Sequence, residues 1–177
     1  MKKILILVAS ATKSSRTRAL GLGISDALGE YSVETELIDL LELGLPTYDV
    51  TTEKTAGYDQ KTQDFLDKSN TADGFVWVTP IYHNSYSSLL KTALDWQHFF
   101  MDGKVLGLAS QGGDRSSAAM DQLLIVARAQ HLVPIPTRVA TDNADYDDAK
   151  RLTNEGIKSR IGRFAKEYND FLERFSL

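Results

Sequence analysis

The sequence predicts an α/β protein in which a parallel sheet of five strands carries helices on both faces. Segments typical of strands and of helices alternate along the whole chain, as they do in parallel sheets. The first apolar segment, Ile4 to Val8, consists of five consecutive large aliphatic residues, which is typical of a strand buried on both faces. The 177 residues, of which 42% are hydrophobic, suffice for one domain with a sizeable core, which we place over residues 1–177.

The first predicted strand, Ile4 to Val8, leads into a helix over Thr17–Leu28. We expect that helix to end at Gly29, because glycine adopts the left-handed conformation that ends many helices at little cost. Residues 33–37 alternate between apolar or hydroxyl side chains and glutamates. That alternation predicts a second strand, half exposed and near an edge of the sheet.

A long connection, a helix and a third strand follow. Residues 39–57 contain glycine, proline and paired threonines, so we expect a surface loop with a short turn of helix. The next predicted helix spans Tyr58–Asn70. The strand over Gly74–Thr79 is rich in β-branched and aromatic residues, and Pro80 ends it because proline has no N–H for the ladder.

The carboxyl-terminal part of the chain alternates in the same way. Its predicted elements are a helix over Ser85–Phe100, a strand over Lys104–Ser110, a helix over Ser116–Gln130, a strand over Val133–Ala140 and a helix over Tyr146–Phe175. Pro134 and Pro136 interrupt the fifth strand, so we expect them at an edge of the sheet or at the start of a strand. Apolar residues of the last helix recur at three- and four-residue steps, which predicts an amphipathic helix.

Charge and composition exclude several classes of protein. The formal net charge is −4 and the pI is about 5.4, so we expect no nucleic-acid partner. The chain has no cysteine, which excludes disulfides, thiolate metal sites and a cysteine nucleophile. No apolar run approaches the ~20 residues of a membrane span, and no carboxylate cluster has metal-ligand spacing. We therefore expect a cytoplasmic protein with no metal and no membrane partner.

A loop rich in hydroxyl and basic residues separates the first strand from the first helix. Five hydroxyl and three basic side chains lie within nine positions: Ser10, Thr12, Lys13, Ser14, Ser15, Arg16, Thr17 and Arg18. A helix start offers unpaired N–H groups and the positive end of its dipole to an anion, and Arg16 can bind that anion through two parallel bonds. Helix capping is the alternative, but it needs only one such residue. The loop therefore predicts a phosphate site.

Two further loops should share this edge of the sheet, namely Pro80–Ser85 and Ser110–Gly113. Ligands of doubly wound sheets bind beyond the carboxyl ends of the strands, where the strand order reverses. In the order 2-1-3-4-5 the first and third strands are neighbours, so their loops would form two walls of one crevice. Tyr82 or His83 could lie beside a flat polar heterocycle, and the glycine pair would let the backbone approach it closely. Alternatively, each loop is an ordinary turn.

Two stretches are similar to motifs of one family. Residues 9–17, Ala-Ser-Ala-Thr-Lys-Ser-Ser-Arg-Thr, resemble its phosphate loop, and residues 80–96, which begin Pro-Ile-Tyr-His-Asn-Ser and include Leu-Lys-Thr-Ala-Leu-Asp, resemble its flavin motif. Gly112-Gly113 corresponds to its glycine pair. The chain thus resembles the NAD(P)H-dependent FMN reductases, including the FMN-dependent azoreductase and quinone reductase branch. It departs from their motifs at four positions. Ala9 and Ser88 stand where the family has glycine, Thr12 stands where it has arginine, and Ile81 stands where it has an acidic residue.

The resemblance implies a flavodoxin-like three-layer sandwich, with the five-stranded parallel sheet in the order 2-1-3-4-5, and FMN as the cofactor. It implies that the FMN phosphate lies among Ser10, Thr12, Ser15, Arg16 and Thr17. It further implies that the isoalloxazine ring lies among Pro80, Ile81, Tyr82, His83, Asn84, Ser85, Ser110, Gln111, Gly112 and Gly113. With Thr12 in the place of the family's arginine, Lys13 or Arg16 could supply the missing phosphate contact.

The implied activity is that of an oxidoreductase, in which hydride passes from NADPH or NADH through N5 of FMN to free flavin, a quinone or an azo compound. No catalytic side chain is needed, because the cofactor carries the chemistry, and we favour a wall role over a catalytic role for His83. The family also implies a homodimer or homotetramer. The aromatic end of one helix, with Trp96, Phe99 and Phe100, would suit either a partner copy or the chain's own core.

The main alternative is a flavodoxin-type electron carrier, which binds FMN and turns over no substrate of its own. Such carriers tend to be strongly acidic, whereas the net charge here is −4. A nicotinamide-binding Rossmann domain would need glycines in the first loop, and residues 10–18 contain none. A serine hydrolase would need a glycine two positions before Ser110, where Leu108 stands.

Overall fold

The computed structural model describes residues 1–51, 57–97, 101–112 and 114–175. Its centre is a parallel sheet in the order β2-β1-β3-β4-β5, and β6 also pairs with β4. The strands are β1 (Lys2–Val8), β2 (Val33–Asp39), β3 (Gly74–Pro80), β4 (Val105–Gln111), β5 (Val133–Pro134) and β6 (Val139–Thr141). The predicted parallel sheet and its strand order are confirmed, and the sixth strand is an addition to them.

Helices cover both faces of the sheet. They are α1 (Arg16–Leu28), α2 (Leu40–Leu43), α3 (Gln60–Thr71), α4 (Ser88–Trp96), α5 (Ala118–Ala129) and α6 (Glu155–Phe175), and a 3-10 helix (Asn143–Asp145) follows β6. On one face, Ile24 of α1 and Phe164 of α6 belong to a common core with the sheet. On the other face, Phe65 of α3, Leu90 of α4 and Leu123 of α5 belong to a second core. The predicted three-layer sandwich is confirmed.

The first strand is buried on both faces, as its aliphatic side chains predict. Ile4, Ile6 and Val8 belong to the core beneath α1 and α6, whereas Leu5 and Leu7 belong to the opposite core. All of them are fully buried, since β1 lies between β2 and β3. Burial of each such side chain contributes about 1.5–3 kcal/mol. This packing holds the carboxyl end of β1 in place beneath the loop that follows it.

The predicted fifth strand, Val133–Ala140, is divided into two. β5 pairs with the first residues of β4, and β6 pairs with its last residues. Between them the chain bends at Pro136, which has no N–H for the ladder. The next N–H, that of Thr137, donates to Oε2 of Glu167 at 2.8 Å. Both pieces lie at the edge of the sheet, as the prolines predict.

The last helix begins at Glu155 rather than at the predicted Tyr146. The intervening residues form a loop, which a bridge between Tyr146 and Leu152 closes. Lys150 has a φ of 61°, in the left-handed region that right-handed helices exclude. Asn154 then caps the helix, because its Oδ1 accepts hydrogen bonds from two backbone N–H groups of the first turn.

Two smaller predictions also differ from the structure. The helix predicted from Ser85 begins at Ser88, because Ser87 Oγ accepts a backbone N–H of the first turn and caps the helix there. The predicted end of that helix, at residues 98–100, lies outside the described residues. α1 ends before Gly29 as predicted, but Gly29 has a φ of −62°, so the expectation of a left-handed ending is wrong.

Within the described residues, no helix combines the length and the apolar character needed to cross a membrane. The same residues contain no group of three or more histidine, aspartate or glutamate side chains placed to hold a metal ion. The assignment of one domain to residues 1–177 stays a prediction.

Candidate functional site

Three loops meet at the carboxyl edge of the sheet around a cavity of about 300 Å³. They follow β1, β3 and β4, which are adjacent in the sheet. The cavity is lined by Ser10, Thr12, Ser14, Ser15, Arg16, Thr17, Pro80, Ile81, Tyr82, Gln111, Gly112, Asn143 and Lys150. The strand order therefore brings the three predicted loops to one place.

The loop after β1 uses few of its hydroxyl groups to hold its own shape. The Oγ of Ser15 accepts the N–H of Arg18 at 3.0 Å and so caps α1. The Oγ of Ser10 accepts the N–H of Thr12 at 3.2 Å. Thr12 and Ser14 are exposed and line the cavity. One residue therefore provides the helix cap, and capping does not account for the other hydroxyls of the loop.

Arg16 is the first residue of α1 and lines the cavity. Its Nε is buried and, within the described residues, has no hydrogen-bond partner. A buried donor without an acceptor costs about 1–3 kcal/mol, and more when it is charged, so native structures rarely leave one unmatched. An anion at the start of α1 would accept a bond from this nitrogen and would face the positive end of the helix dipole. The residues present therefore fit an anionic group.

The loop after β3 contains a tight two-residue hairpin. Tyr82 and Ser85 exchange two backbone hydrogen bonds of 2.9 Å. Between them, His83 and Asn84 have φ of 51° and 60°, as type I′ turns require. Gln122 of α5 holds the hairpin: its Nε2 donates to the Asn84 carbonyl at 2.7 Å, and its Oε1 accepts the hydroxyl of Ser85 at 2.7 Å. This turn directs Tyr82 to the cavity.

The loop after β4 supplies the third wall through Gln111 and Gly112. The carbonyl of Gln111 accepts the N–H of Ile81 at 2.9 Å, and its Nε2 donates to Oδ1 of Asn143 at 3.1 Å. A Cβ at Gly112 would lie 2.6 Å from Cδ1 of Ile81. Glycine is therefore needed here so that the Ile81 side chain can pack against the loop.

The structure brings most of the predicted site residues together. The predicted residues that line the cavity are Ser10, Thr12, Ser15, Arg16, Thr17, Pro80, Ile81, Tyr82, Gln111 and Gly112. Ser110 is fully buried, and its Oγ lies 3.5 Å from the carbonyl of Ser116. His83, Asn84 and Ser85 belong to the hairpin and, like Ser110, are not among the described lining residues. Gly113 lies outside the described residues.

Asn143 and Lys150 line the cavity, although sequence reasoning assigned them no role. Asn143 lies in the 3-10 helix, which begins with a capping box from Asp142. That clustered Asp/Asn pattern is a signal that could have revealed the turn. The Nζ of Lys150 donates to the Ser14 carbonyl at 2.5 Å, across 136 positions. Lys150 lies within the helix predicted over Tyr146–Phe175, so its contact with the loop after β1 was not expected.

Asp145 is fully buried at the base of the loop that carries Lys150. Its carboxylate accepts hydrogen bonds from Nη2 of Arg115 at 2.5 Å, from Nδ2 of Asn154 at 2.7 Å and from the N–H of Asp142 at 2.8 Å. Burial alone would raise the pKa of Asp145, but the bonds from Arg115 and Asp142 hold that pKa below its usual value. Since its carbonyl also accepts the N–H of Asn154 at 3.2 Å, Asp145 ties the two ends of the loop together.

Tyr146, the next residue, is a buried phenol. Its hydroxyl shares a hydrogen bond of 2.9 Å with Oγ1 of Thr141. Burial raises the pKa of Tyr146 to about 12, although the hydrogen bond from Thr141 and the charge of Arg16 act in the opposite direction. The phenol is therefore neutral near pH 7, and it supplies no negative charge to Arg16.

Comparison with known proteins places the chain in a family. The family model described as NADPH-dependent FMN reductase matches residues 2–145. The chain belongs to the NADPH-dependent FMN reductase family. It is 33% identical over 181 residues to the FMN-dependent NADPH-azoreductase of Staphylococcus saprophyticus, with 97% of this chain and 95% of the relative covered. It is 35% identical over 180 residues to the protein of that name from Staphylococcus aureus, with 96% and 95% covered. The resemblance found in the motifs is confirmed.

A solved structure agrees with this family assignment in its fold. The flavoenzyme NAD(P)H:(acceptor) oxidoreductase FerB from Paracoccus denitrificans has a TM-score of 0.80 with this chain at 21% identity, and the match covers 100% of both chains. At that identity the likeness concerns the fold alone. In this member of the FMN reductase family, the residues that line the cavity include two cations, Arg16 and Lys150, and also Ile81, Tyr82 and Gly112.

Proposed function

We propose that this protein is an FMN-dependent oxidoreductase that oxidises NADPH and reduces a small acceptor such as an azo compound, a quinone or free flavin. Membership of the NADPH-dependent FMN reductase family and the similarity to two FMN-dependent NADPH-azoreductases support the proposal. The structural observation that carries it is that Arg16, which lines the cavity, has a buried Nε with no hydrogen-bond partner in the described part of the chain. A phosphate monoester is a suitable acceptor for that nitrogen.

Each predicted contact has a place in this proposal. The FMN phosphate would be held by Ser10, Thr12, Ser15, Arg16 and Thr17. The isoalloxazine ring would be held by Pro80, Ile81, Tyr82, His83, Asn84, Ser85, Ser110, Gln111, Gly112 and Gly113. The cavity lining supports the first set and part of the second. Ser110 is fully buried and is not among the described lining residues, so the cavity gives its assignment no support.

Bound FMN would supply the redox chemistry, accepting hydride from NADPH and passing it to the acceptor. The chain's own residues bind and orient. Arg16 and the hydroxyls hold the charged end, Tyr82 and Ile81 form a wall, and the Gln111 side chain offers a polar group to the edge of a ring. No side chain has to donate a proton to the cofactor, so we give His83 no catalytic role.

The test is turnover by protein loaded with FMN. Under nitrogen, NADPH and an azo dye are added, and the absorbances of both are followed over time. We expect sustained loss of both absorbances, many turnovers per protein, and no comparable loss with free FMN at the same concentration. Bound FMN that does not turn over until a separate reductase is added would contradict the proposal and favour a flavodoxin-type electron carrier.

We further propose that the protein is a homodimer or homotetramer and that it acts in the cytoplasm. Trp96 gives it no support, because this ring is buried against Tyr48 and Tyr58, with ring centroids 5.0 and 5.5 Å away. Phe99 and Phe100 lie outside the described residues. Exposed apolar surface at Ile125, which is 73% accessible, is compatible with a partner copy. Light scattering at micromolar concentration tests the assembly, and a monomeric mass would contradict it.

A further inference from the structure

The positive charge that the loop after β1 brings to the cavity is smaller than the charge of the proposed ligand. A phosphate monoester carries about −1.5 to −2 at pH 7. Of the three basic residues in that loop, Arg16 lines the cavity. Lys13 is not among the described residues that line the cavity; it lines a neighbouring hollow, which Arg18 and Lys150 also line. Nε of Arg18 lies 3.6 Å from the carboxylate of Asp39. The loop thus places one described cation in the cavity, and that single charge is smaller than the charge of a phosphate dianion.

Lys150 brings a second cation to the same cavity from the other end of the chain. It lines the cavity, and its Nζ donates to the Ser14 carbonyl at 2.5 Å. An ammonium group has three N–H donors, so this bond leaves donors for an anion. The contact places positive charge beside Ser14, on the loop that begins at Ser10 and ends at the first turn of α1.

The backbone at Lys150 is held in an unfavourable conformation. Its φ is 61°, in a region that costs a residue with a Cβ about 1–2 kcal/mol. The N–H of Lys150 donates to the carbonyl of Asp147 at 2.8 Å, and the N–H of Asp147 donates to the carbonyl of Arg151 at 3.0 Å. Strain that the surrounding structure maintains is frequent at ligand sites. Here it accompanies the approach of the Lys150 ammonium to the loop after β1.

We propose that Lys150 is the second cationic ligand of the FMN phosphate. Its positive charge balances the part of the phosphate's negative charge that Arg16 does not balance. This inference rests on the proposed function, since it concerns the same cofactor. It assigns the compensating cation to a residue 136 positions beyond Ser14, rather than to Lys13 in the phosphate loop itself.

The test compares FMN with riboflavin, which has the same ring system and no phosphate. The protein freed of flavin is titrated with each, and quenching of flavin fluorescence gives Kd. For Lys150→Met we expect Kd for FMN to rise about 10- to 100-fold, the usual range for a charged hydrogen bond, and Kd for riboflavin to change less than about twofold. Lys150→Arg should retain most of the affinity for FMN, because it keeps the charge.

Three further variants separate the charge from the local structure. Lys150→Gly suits the left-handed backbone and should lose as much FMN affinity as Lys150→Met. Lys150→Gln can still donate a hydrogen bond to the Ser14 carbonyl but is neutral, and it should lose nearly as much. Lys13→Met removes an equal charge from the same loop, at a residue that is not among those described as lining the cavity, and should cost less FMN affinity than Lys150→Met.

The outcomes distinguish this inference from the proposed function. If the unaltered protein binds no FMN, the proposed function fails and the inference fails with it. If the unaltered protein binds FMN and Lys150→Met binds it within about twofold of that affinity, the inference alone is overturned. Unaltered affinity in Lys150→Gln or in Lys150→Gly, or a larger loss in Lys13→Met, would also overturn it, because the ammonium of Lys150 would then not be the decisive group.

Discussion

The loops after β1 and β3 face the same cavity but keep their shapes by different means. The hairpin after β3 holds itself together through two backbone hydrogen bonds between Tyr82 and Ser85. The loop after β1 has one internal side-chain bond, from the Thr12 N–H to Ser10, before the α1 cap. Its contact with Lys150 comes from a distant part of the chain. The hairpin after β3 is thus organised by its own backbone, with added support from Gln122, whereas the loop after β1 depends on a tertiary contact.

Their expected partners give a physical reason for this difference. A wall against a flat ring needs a stable surface, and a hairpin that satisfies its own backbone groups provides one. An anion site needs donors that the protein has not already satisfied. A loop that matched all its own donors would have none for a phosphate. The unmatched Nε of Arg16 is the clearest sign of this requirement.

The largest expected effect is on the distant support of the loop after β1. Asp145→Ala removes the buried partner of Arg115 and both side-chain contacts at the base of the Lys150 loop. We expect the free energy of unfolding to fall by about 3 kcal/mol, because this fully buried carboxylate accepts hydrogen bonds from three groups and each contributes about 1 kcal/mol. Urea unfolding measures it. Asp121→Ala, which breaks an exposed pair with Arg138, is the control and should cost less than about 1 kcal/mol; equal losses would contradict the role of Asp145.

The same carboxylate should make stability depend on pH. The folded-state pKa of Asp145 lies below its ordinary value of 3.8, so the unfolded chain binds the proton more tightly. The stabilisation is therefore complete above the unfolded pKa and is lost as pH falls through the folded pKa. The difference in unfolding free energy between the unaltered protein and Asp145→Asn should be largest near neutral pH and should shrink below about pH 4. Urea unfolding at several pH values checks this, and a constant difference would refute it.

Arg16→Ala tests the anion site directly. We expect Kd for FMN to rise about 30-fold, because a charged hydrogen bond contributes about 2 kcal/mol. The stability of the flavin-free protein should not fall, since Nε of Arg16 has no partner among the described residues to lose. Flavin fluorescence and urea unfolding measure the two quantities. Arg18→Ala, which loses a pair with Asp39, is the matched control. An equal loss of FMN affinity in Arg18→Ala would show that Arg16 is not a specific ligand of the phosphate.

The smallest expected effect concerns the hairpin. Gln122→Ala removes the two side-chain bonds that hold Asn84 and Ser85, and should lower the unfolding free energy by about 1 kcal/mol. Kd for FMN should change less than about threefold, because the backbone bonds of the turn remain. Urea unfolding measures the stability and flavin fluorescence measures Kd. A loss of FMN affinity as large as that of Arg16→Ala would show that the hairpin also depends on distant support, and the contrast between the loops would fail.

The elements whose signals are local were predicted well. The aliphatic residues of β1 mark a buried strand in any parallel sheet, and the order of the strands then places the loops after β1, β3 and β4 together. The split of the fifth strand was missed because Pro136 shows where the ladder is interrupted but not where the chain rejoins it. That point depends on β4 and on Glu167, which accepts the Thr137 N–H.

The loop that carries Lys150 shows the opposite case. Apolar spacing from Tyr146 onward suits a helix, yet the chain forms a loop because Asp145 is buried against Arg115 and Asn154 caps the helix later. By itself, the sequence determined the α/β class and the polar loops, which have local patterns, and, through the resemblance of its motifs, the family and with it the strand order. Only the tertiary structure decided that Nε of Arg16 has no partner among the described residues and that Lys150 contacts Ser14. Contacts between residues so far apart in the chain leave no periodic pattern in the sequence, because they depend on how the packed elements bring them together.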